Sequence, residues 1–263
     1  MSEELYEPLP DVDAYLRRIG ITQVKEPSLE FLDELIVAHQ SHVPFDNLDI
    51  CERSLVPSLG VGDLFDKIVT RRRGGYCFEL NGLFCSLLKA LGFSARPCMA
   101  RVLLRPVPHP LISHRANIVA INGKRYYADV GFGGPQPAFA PLIEDGAMRA
   151  EGGQTFTMHR AGHSWWELGY RGTKEEERIV LRICAMAVGE EDFVPLSFFQ
   201  AANPQSVFKQ NRMVNVKTAN GALNLRNNTY TVFADGEATI TEIEDEDEIT
   251  RLLLEEYGIV KDW

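Results

Sequence analysis

Cys77 lies in the segment Arg73-Gly-Gly-Tyr-Cys-Phe-Glu79, directly before a run of leucines at helical spacing. A cysteine at the start of a buried helix meets unpaired backbone N–H groups and the positive end of the helix dipole. Both favour the thiolate, the nucleophilic form of the side chain. The two preceding glycines let the chain turn tightly and leave space beside the sulfur for an incoming acyl group. The chemistry suggested is covalent catalysis through a thioester. Cys51, Cys85, Cys98 and Cys184 lack these surroundings and read as small buried side chains.

Such a thiolate needs a base. Asn122-Gly123 lies between two β-like runs, Arg115–Ile121 and Lys124–Val130, and is a strong hairpin signal. With a two-residue turn Ile121 opposes Lys124, opposed residues carry numbers summing to 245, and Ala116 faces Asp129. His114 then shares a face with Asp129 at a diagonal separation of roughly 7–8 Å, which an imidazole and a carboxylate can bridge. An aspartate on one ring nitrogen orients the ring and stabilises its charged form, leaving the other nitrogen for the thiol. Taken singly, His114 reads as a strand-end histidine and Asp129 as a strand-end cap; the shared face joins them into a triad with Cys77.

Other constellations are weaker. His39-x-x-His42 can place two metal ligands on one helical turn but has no evident third partner, so no metal is assigned. His109 lies in a proline-rich loop, and His159 and His163 in a glycine-containing turn region, without apparent acid partners. Gly131-Phe-Gly-Gly-Pro135 follows the Asp129 strand and lets backbone amides approach a ligand, but matches neither a Walker loop nor a Rossmann fingerprint.

The elements that must position these residues fall into three stretches. Helical periodicity dominates the first ninety residues: Val12 to Ile19 with a stop at Gly20, a helix capped by Ser28 and running to about His39, one from Asp63, and one through Leu80, Leu83, Phe84, Leu87, Leu88 and Leu91 stopped by Gly92. From Phe93 short β-like runs predict a barrel or sandwich, with Ile179–Val188 among them. After Pro204 an antiparallel meander is expected over Met213–Thr218, Ala222–Arg226, Thr229–Ala234 and Ala238–Ile243. A last helix follows, capped by Thr241 or Asp245 and ended by Gly258.

Composition restricts the function. No segment reaches the roughly 18 apolar residues of a membrane span, and Met1-Ser-Glu-Glu4 does not open like a signal peptide. The five cysteines, odd in number and without a Cys-x-x-Cys pair, indicate neither a disulfide framework nor a zinc ribbon; free thiols fit the cytoplasm. A formal charge of −10 argues against nucleic acid and acidic membranes as partners, so any anionic ligand must meet a local patch.

The motifs, taken in order, resemble the arylamine N-acetyltransferases along nearly the whole chain. Tyr15-Leu-Arg-Arg-Ile-Gly20 looks like the family's opening helix and His39-Gln-Ser-His-Val-Pro-Phe-Asp-Asn-Leu48 like its next structural motif. Arg73–Glu79 looks like its nucleophile signature, with Ala100-Arg-Val102, Ser113-His114 and Asp129-Val-Gly-Phe-Gly-Gly134 following. The resemblance implies an α+β fold with a helical bundle (1–93), an antiparallel β-barrel (94–200) and an α/β lid (201–263), built around a cysteine-protease-like Cys-His-Asp triad. It places Phe45, Val102, Phe132 and Phe208 around the acyl and acceptor pocket, and Gly131, Gly133, Gly134 and Ser206 on CoA. The implied reaction is ping-pong acetylation of arylamines or hydrazines, with acetyl-CoA as donor substrate and no permanently bound cofactor. The backbone N–H of Cys77 and one near Val102 are the expected oxyanion donors. Oligomeric state is left unassigned.

One stretch departs from the pattern. Ala201-Ala-Asn203 stands before Pro204-Gln-Ser-Val-Phe208 where the family often carries hydroxyl side chains, removing possible hydrogen bonds to CoA. That keeps open an amide synthase using a carrier-bound acyl donor. A cysteine hydrolase would take water or protein as acceptor, and a binding module would form no acyl adduct.

Overall fold

The helices begin where the sequence supplies caps. Asp11 accepts from the Ala14 N–H ahead of α1 (Val12–Arg18), and Ser28 from the Phe31 N–H ahead of α2 (Leu29–His42), which runs a turn past His39. The two-residue strand β1 (Phe45–Asp46) and the short α3 (Leu48–Cys51) follow. Next come α4 (Val61–Phe65), two residues earlier than Asp63, and α5 (Cys77–Ala90), with Gly92 in the left-handed conformation. These helices share one core that contains Leu32, Leu35, Phe78, Leu83 and Phe84. The computed structural model describes residues 3–173, 175–261 and 263; the Met1-Ser2 opening lies outside them. Among the described residues no helix is long and apolar enough to cross a membrane.

The second layer is a seven-stranded antiparallel sheet. Its strands are β2 (Ser94–Val102), β3 (His114–Ile121), β4 (Lys124–Ala128), β5 (Met148–Glu151), β6 (Gln154–Arg160), β7 (Trp165–Arg171) and β8 (Arg178–Cys184), in the order β4-β3-β2-β8-β7-β6-β5. The sheet curls towards closure through an irregular segment. Tyr127 N–H donates to Pro141 and Ile143 N–H to Arg125 along the free edge of β4, and Gly146 N–H then donates to Met158 of β6. Inward residues including Ala116, Ile118, Phe156, Met158 and Leu168 fill a second core.

The last stretch contains α6 (Phe193–Ala202), α7 (Val207–Gln210), the meander β9 (Met213–Thr218), β10 (Gly221–Arg226), β11 (Thr229–Ala234) and β12 (Glu237–Glu242), and α8 (Glu246–Tyr257). Asp245 caps α8 and Gly258 ends it at positive φ. Two features tie this lid to the first layer. Strand β1 adds to the meander beside β9, and Leu48 joins the lid core with Val214, Leu225 and Leu253. The expected boundary at 200/201 falls inside α6, whose Phe193 and Ala201 belong to the helical core.

Candidate active site

The nucleophile segment is held by close backbone packing and buried charge. A Cβ on Gly74 would lie 2.1 Å from the Pro44 carbonyl oxygen, so only glycine fits there. Asp46 N–H donates to the Gly75 carbonyl, and Phe45 bridges Gly75, which ties the turn to β1. At the helix start Glu79 Oε2 accepts from the Tyr76 N–H (3.1 Å), while its other oxygen takes Lys67 Nζ (2.8 Å). Lys67 also meets Asp49 (2.7 Å), and Arg73 joins Asp49 and Asp46. These ions are paired, which makes their burial tolerable. Cys77 is the first residue of α5, so by helix geometry its N–H has no intrahelical acceptor.

The hairpin has the expected register. Ile121 opposes Lys124 and Asn117 opposes Ala128, with Asn122 and Gly123 both at positive φ as a two-residue turn requires. His114 opens β3 opposite Ala100, and Asp129 directly follows β4. Their side chains meet, His114 Nε2 lying 2.6 Å from Asp129 Oδ2, both buried. The same oxygen accepts from the Tyr127 hydroxyl (2.7 Å); Oδ1 accepts from Asn81 Nδ2 (2.8 Å) and the Gly131 N–H (2.9 Å). The Asp129 carbonyl accepts from Gln40 Nε2 at 3.0 Å.

Cys77 completes the row. Its sulfur lies 3.9 Å from the carbonyl of Ser113, the residue before His114, and the thiol is among the groups that favour the charged form of that imidazole. Burial disfavours the His114 imidazolium, but the Asp129 charge and hydrogen bond and the Cys77 contact outweigh it, lifting the pKa to about 10. Burial also disfavours the Asp129 carboxylate, yet His114, Tyr127 and Asn81 together hold its pKa below the usual value. Both shifts favour the imidazolium–carboxylate form of the pair.

Asn81 and Tyr127 were not among the residues singled out in the sequence, although both carried a signal. Asn81 is four residues after Cys77 on the same helix face, and Tyr127 is two before Asp129 on the same strand face. Tyr127→Phe removes one donor from a buried carboxylate and leaves the ring in place. The expected result is a fall in kcat of about tenfold with an unchanged unfolding temperature, checked by steady-state rates and thermal unfolding.

The aromatic residues pack on neighbours of the triad. Phe132 packs edge-on to His114, with ring centroids 5.5 Å apart. The Phe208 ring lies 6.4 Å from Phe45 and 5.6 Å from Tyr76, the neighbour of Cys77. Val102 is half-buried two residues beyond the Ala100–His114 pair, and packs on the barrel core. In the glycine run, a Cβ on Gly131 would lie 2.9 Å from Cys77 Cα; one on Gly133 would lie 3.7 Å from Phe45, and one on Gly134 2.9 Å from Leu104. Ser206 is set apart: it is buried, and its hydroxyl caps α7 through the Phe208 N–H and faces Gln200. The weaker histidines have other partners. His39 is buried against the Tyr15 hydroxyl (2.9 Å), His42 Nδ1 faces the Ala38 carbonyl, and His159 pairs with Glu177. Among the described residues no three His, Cys, Asp or Glu side chains converge as a metal site.

A thiol, an imidazolium and a carboxylate in line can accept and release an acyl group, and known proteins share the whole framework. The family model described as N-acetyltransferase matches residues 28–262. The arylamine N-acetyltransferase / N-hydroxyarylamine O-acetyltransferase of Salmonella typhimurium is 32% identical over 254 residues, covering 94% of this chain and 88% of that protein. Among solved structures, the M. smegmatis arylamine N-acetyltransferase superposes with a TM-score of 0.89 at 30% identity, covering 95% of this chain and 92% of its own. The Mycobacterium marinum enzyme in complex with CoA gives a TM-score of 0.88 at 29% identity, covering 95% and 93%. With the family model matching residues 28–262 and the Salmonella relative 32% identical over 94% of the chain, the protein belongs to the arylamine N-acetyltransferase family.

Proposed function

We propose that the protein transfers an acetyl group from acetyl-CoA to an arylamine or hydrazine through an acetyl-Cys77 intermediate, with His114 and Asp129 completing the triad. The observation that carries this reading is the His114–Asp129 pair beside Cys77 at the start of α5, with Phe132 edge-on to His114. The Cys77 thiolate attacks the thioester carbonyl. The C–S bond to CoA breaks, and the departing CoA sulfur takes the proton from His114. The amine then attacks the acetyl-cysteine, His114 accepts the amine proton, and Cys77 leaves as thiolate. The imidazolium is the counter-charge for the sulfur anion at both ends of the cycle.

The tetrahedral oxyanion is held by the Cys77 N–H and the Val102 N–H. Leu103 N–H donates to Val180 on the β8 side (2.9 Å), so strand alternation turns the Val102 N–H the other way, towards β3. The β2/β3 ladder ends at Ala100 and His114, two residues short of Val102, leaving that amide beyond the paired region. Gly131, Gly133 and Gly134 let the donor arm approach the backbone, while the Ser206 hydroxyl supports α7 and acts on the donor through that helix. The five free thiols fit a cytoplasmic enzyme.

Intact-mass measurement tests both half-reactions. Mixing with acetyl-CoA is expected to add one acetyl group, mapped by peptide analysis to Cys77, and an arylamine is expected to remove it with formation of the acetylated amine. An adduct that water discharges as fast as the amine does would make the protein a hydrolase. An adduct on Cys51 would displace the nucleophile.

A further inference from the structure

We propose that the cavity behind the loop from Leu103 to Ser113 binds the phosphate-bearing nucleotide end of the acyl donor, with Arg101 and Arg182 as its anion contacts. This rests on the acetyl-CoA reading above and names where the charged end of that donor sits. The cavity holds about 460 Å³ and is walled by Arg101, Arg182, Trp165, Pro108, His109 and Pro110. Among the described residues no carboxylate lines it.

Arg101 of β2 and Arg182 of β8 are directly opposed partners, and like charges so placed repel. Among the described residues one carboxylate, Glu167 on β7, reaches the pair, and it is engaged by Nε and Nη2 of Arg182 at 2.8 and 2.5 Å. Arg101 lies over the Trp165 ring at 5.2 Å and donates through Nη1 to the Pro110 carbonyl. Each guanidinium is thus fixed by part of its donor set while other N–H groups remain for a ligand, an arrangement suited to phosphate oxygens. A second cavity, of about 330 Å³, contains Lys209 and Arg212 but also Glu52 and Glu246, and Arg212 pairs with both acids at 2.8 Å. Of the two, the Arg101 cavity keeps its positive charge, and on a chain of formal charge −10 it is the local patch an anion requires.

The loop connects this cavity to the chemistry. At one end the Ser113 carbonyl lies 3.9 Å from the Cys77 sulfur, and at the other Leu104 packs on Gly134. Two residues, Leu111 and Ile112, lie between Pro110 on the cavity wall and Ser113, a reach that keeps the cavity edge within about 15 Å of the sulfur. An acyl-pantetheine arm that passes the glycine run and crosses the loop brings its thioester to Cys77 while its phosphates rest on the arginines.

The test compares acetyl-CoA with S-acetyl-N-acetylcysteamine, a donor without a nucleotide, in wild type, Arg101→Gln, Arg182→Gln and Arg101→Lys. It is paired with calorimetric titration of adenosine 3′,5′-bisphosphate. The ratio of kcat/KM for acetyl-CoA to that for the short donor is expected to fall about tenfold in either glutamine variant and to be largely kept in Arg101→Lys. The bisphosphate should bind about tenfold more weakly to the glutamine variants, and more weakly in wild type as salt rises. An unchanged ratio in both glutamine variants, with unchanged bisphosphate affinity, would overturn the site while leaving the acetyltransferase reading intact. Wild-type protein that fails to react with acetyl-CoA yet binds the bisphosphate through Arg101 would do the reverse.

Discussion

Cys77→Ser lowers kcat/KM for acetyl transfer by about 10⁴-fold or more and leaves the fold in place. The substitution exchanges one small atom for another at a residue only 2% exposed, so packing changes little. The chemistry changes much more, because a serine hydroxyl is far harder to ionise than a thiol facing an imidazolium, and the ester it would form is a poorer acyl donor to an amine than a thioester. Residual turnover would come from donor binding and the oxyanion amides alone. Steady-state rates with acetyl-CoA and an arylamine measure the loss, and thermal unfolding checks the fold. Activity within tenfold of wild type, in protein that unfolds at the same temperature, would remove Cys77 from the mechanism.

Local signals in the sequence specified the parts of the site that depend on local geometry. Asn122-Gly123 set the register that brings His114 to Asp129, and the leucine run with Gly92 marked the helix that begins at Cys77. The meander was legible for the same reason, with Asn227-Asn228 and Asp235-Gly236 in two of its turns; the first turn is instead Ala219-Asn220, with Gly221 already paired to Thr218 in β10, and of the two caps offered for α8 the fold uses Asp245. What stayed hidden needs distant pairing or lacks a period. Helix α6 carries apolar residues on most sides, has Pro195 in its first turn and receives no side-chain cap from Asp192, so no stripe marks it. The segment Pro141–Ile143 that lines the β4 edge has no alternation to read. The Arg101–Arg182 opposition depends on pairing strands about eighty residues apart, which no turn specifies. Ser206 matched a motif whose hydroxyl the fold uses as a cap. The motif located the segment, and the local hydrogen bonds fixed what its side chain does.

Asp129→Asn is the second large effect, and it separates charge from shape. All four neighbours of the carboxylate donate to it: His114 Nε2, Tyr127 Oη, Asn81 Nδ2 and the Gly131 N–H. A carboxamide has one acceptor oxygen, so its NH₂ group must face two of those donors, and the imidazolium loses its counter-charge. We expect kcat to fall by about 10³–10⁴-fold, with His114 held in the wrong protonation state and orientation. The same change alters stability with pH in a defined direction. His114 is raised from 6.5 to about 10, so its contribution is full below pH 6.5 and is lost as pH rises towards 10. Asp129 is lowered from 3.8, so its contribution is present above that value and is lost only as pH falls below it. Both contributions are therefore complete between about pH 4 and 6.5, and the wild-type excess over Asp129→Asn should shrink between pH 6.5 and 10. Urea-unfolding midpoints of the two proteins at pH 6, 8 and 10 provide the comparison. Parallel curves would mean that the pair is not an ion pair in the folded protein, and the protonated resting state of His114 would have to be abandoned even if the variant were inactive.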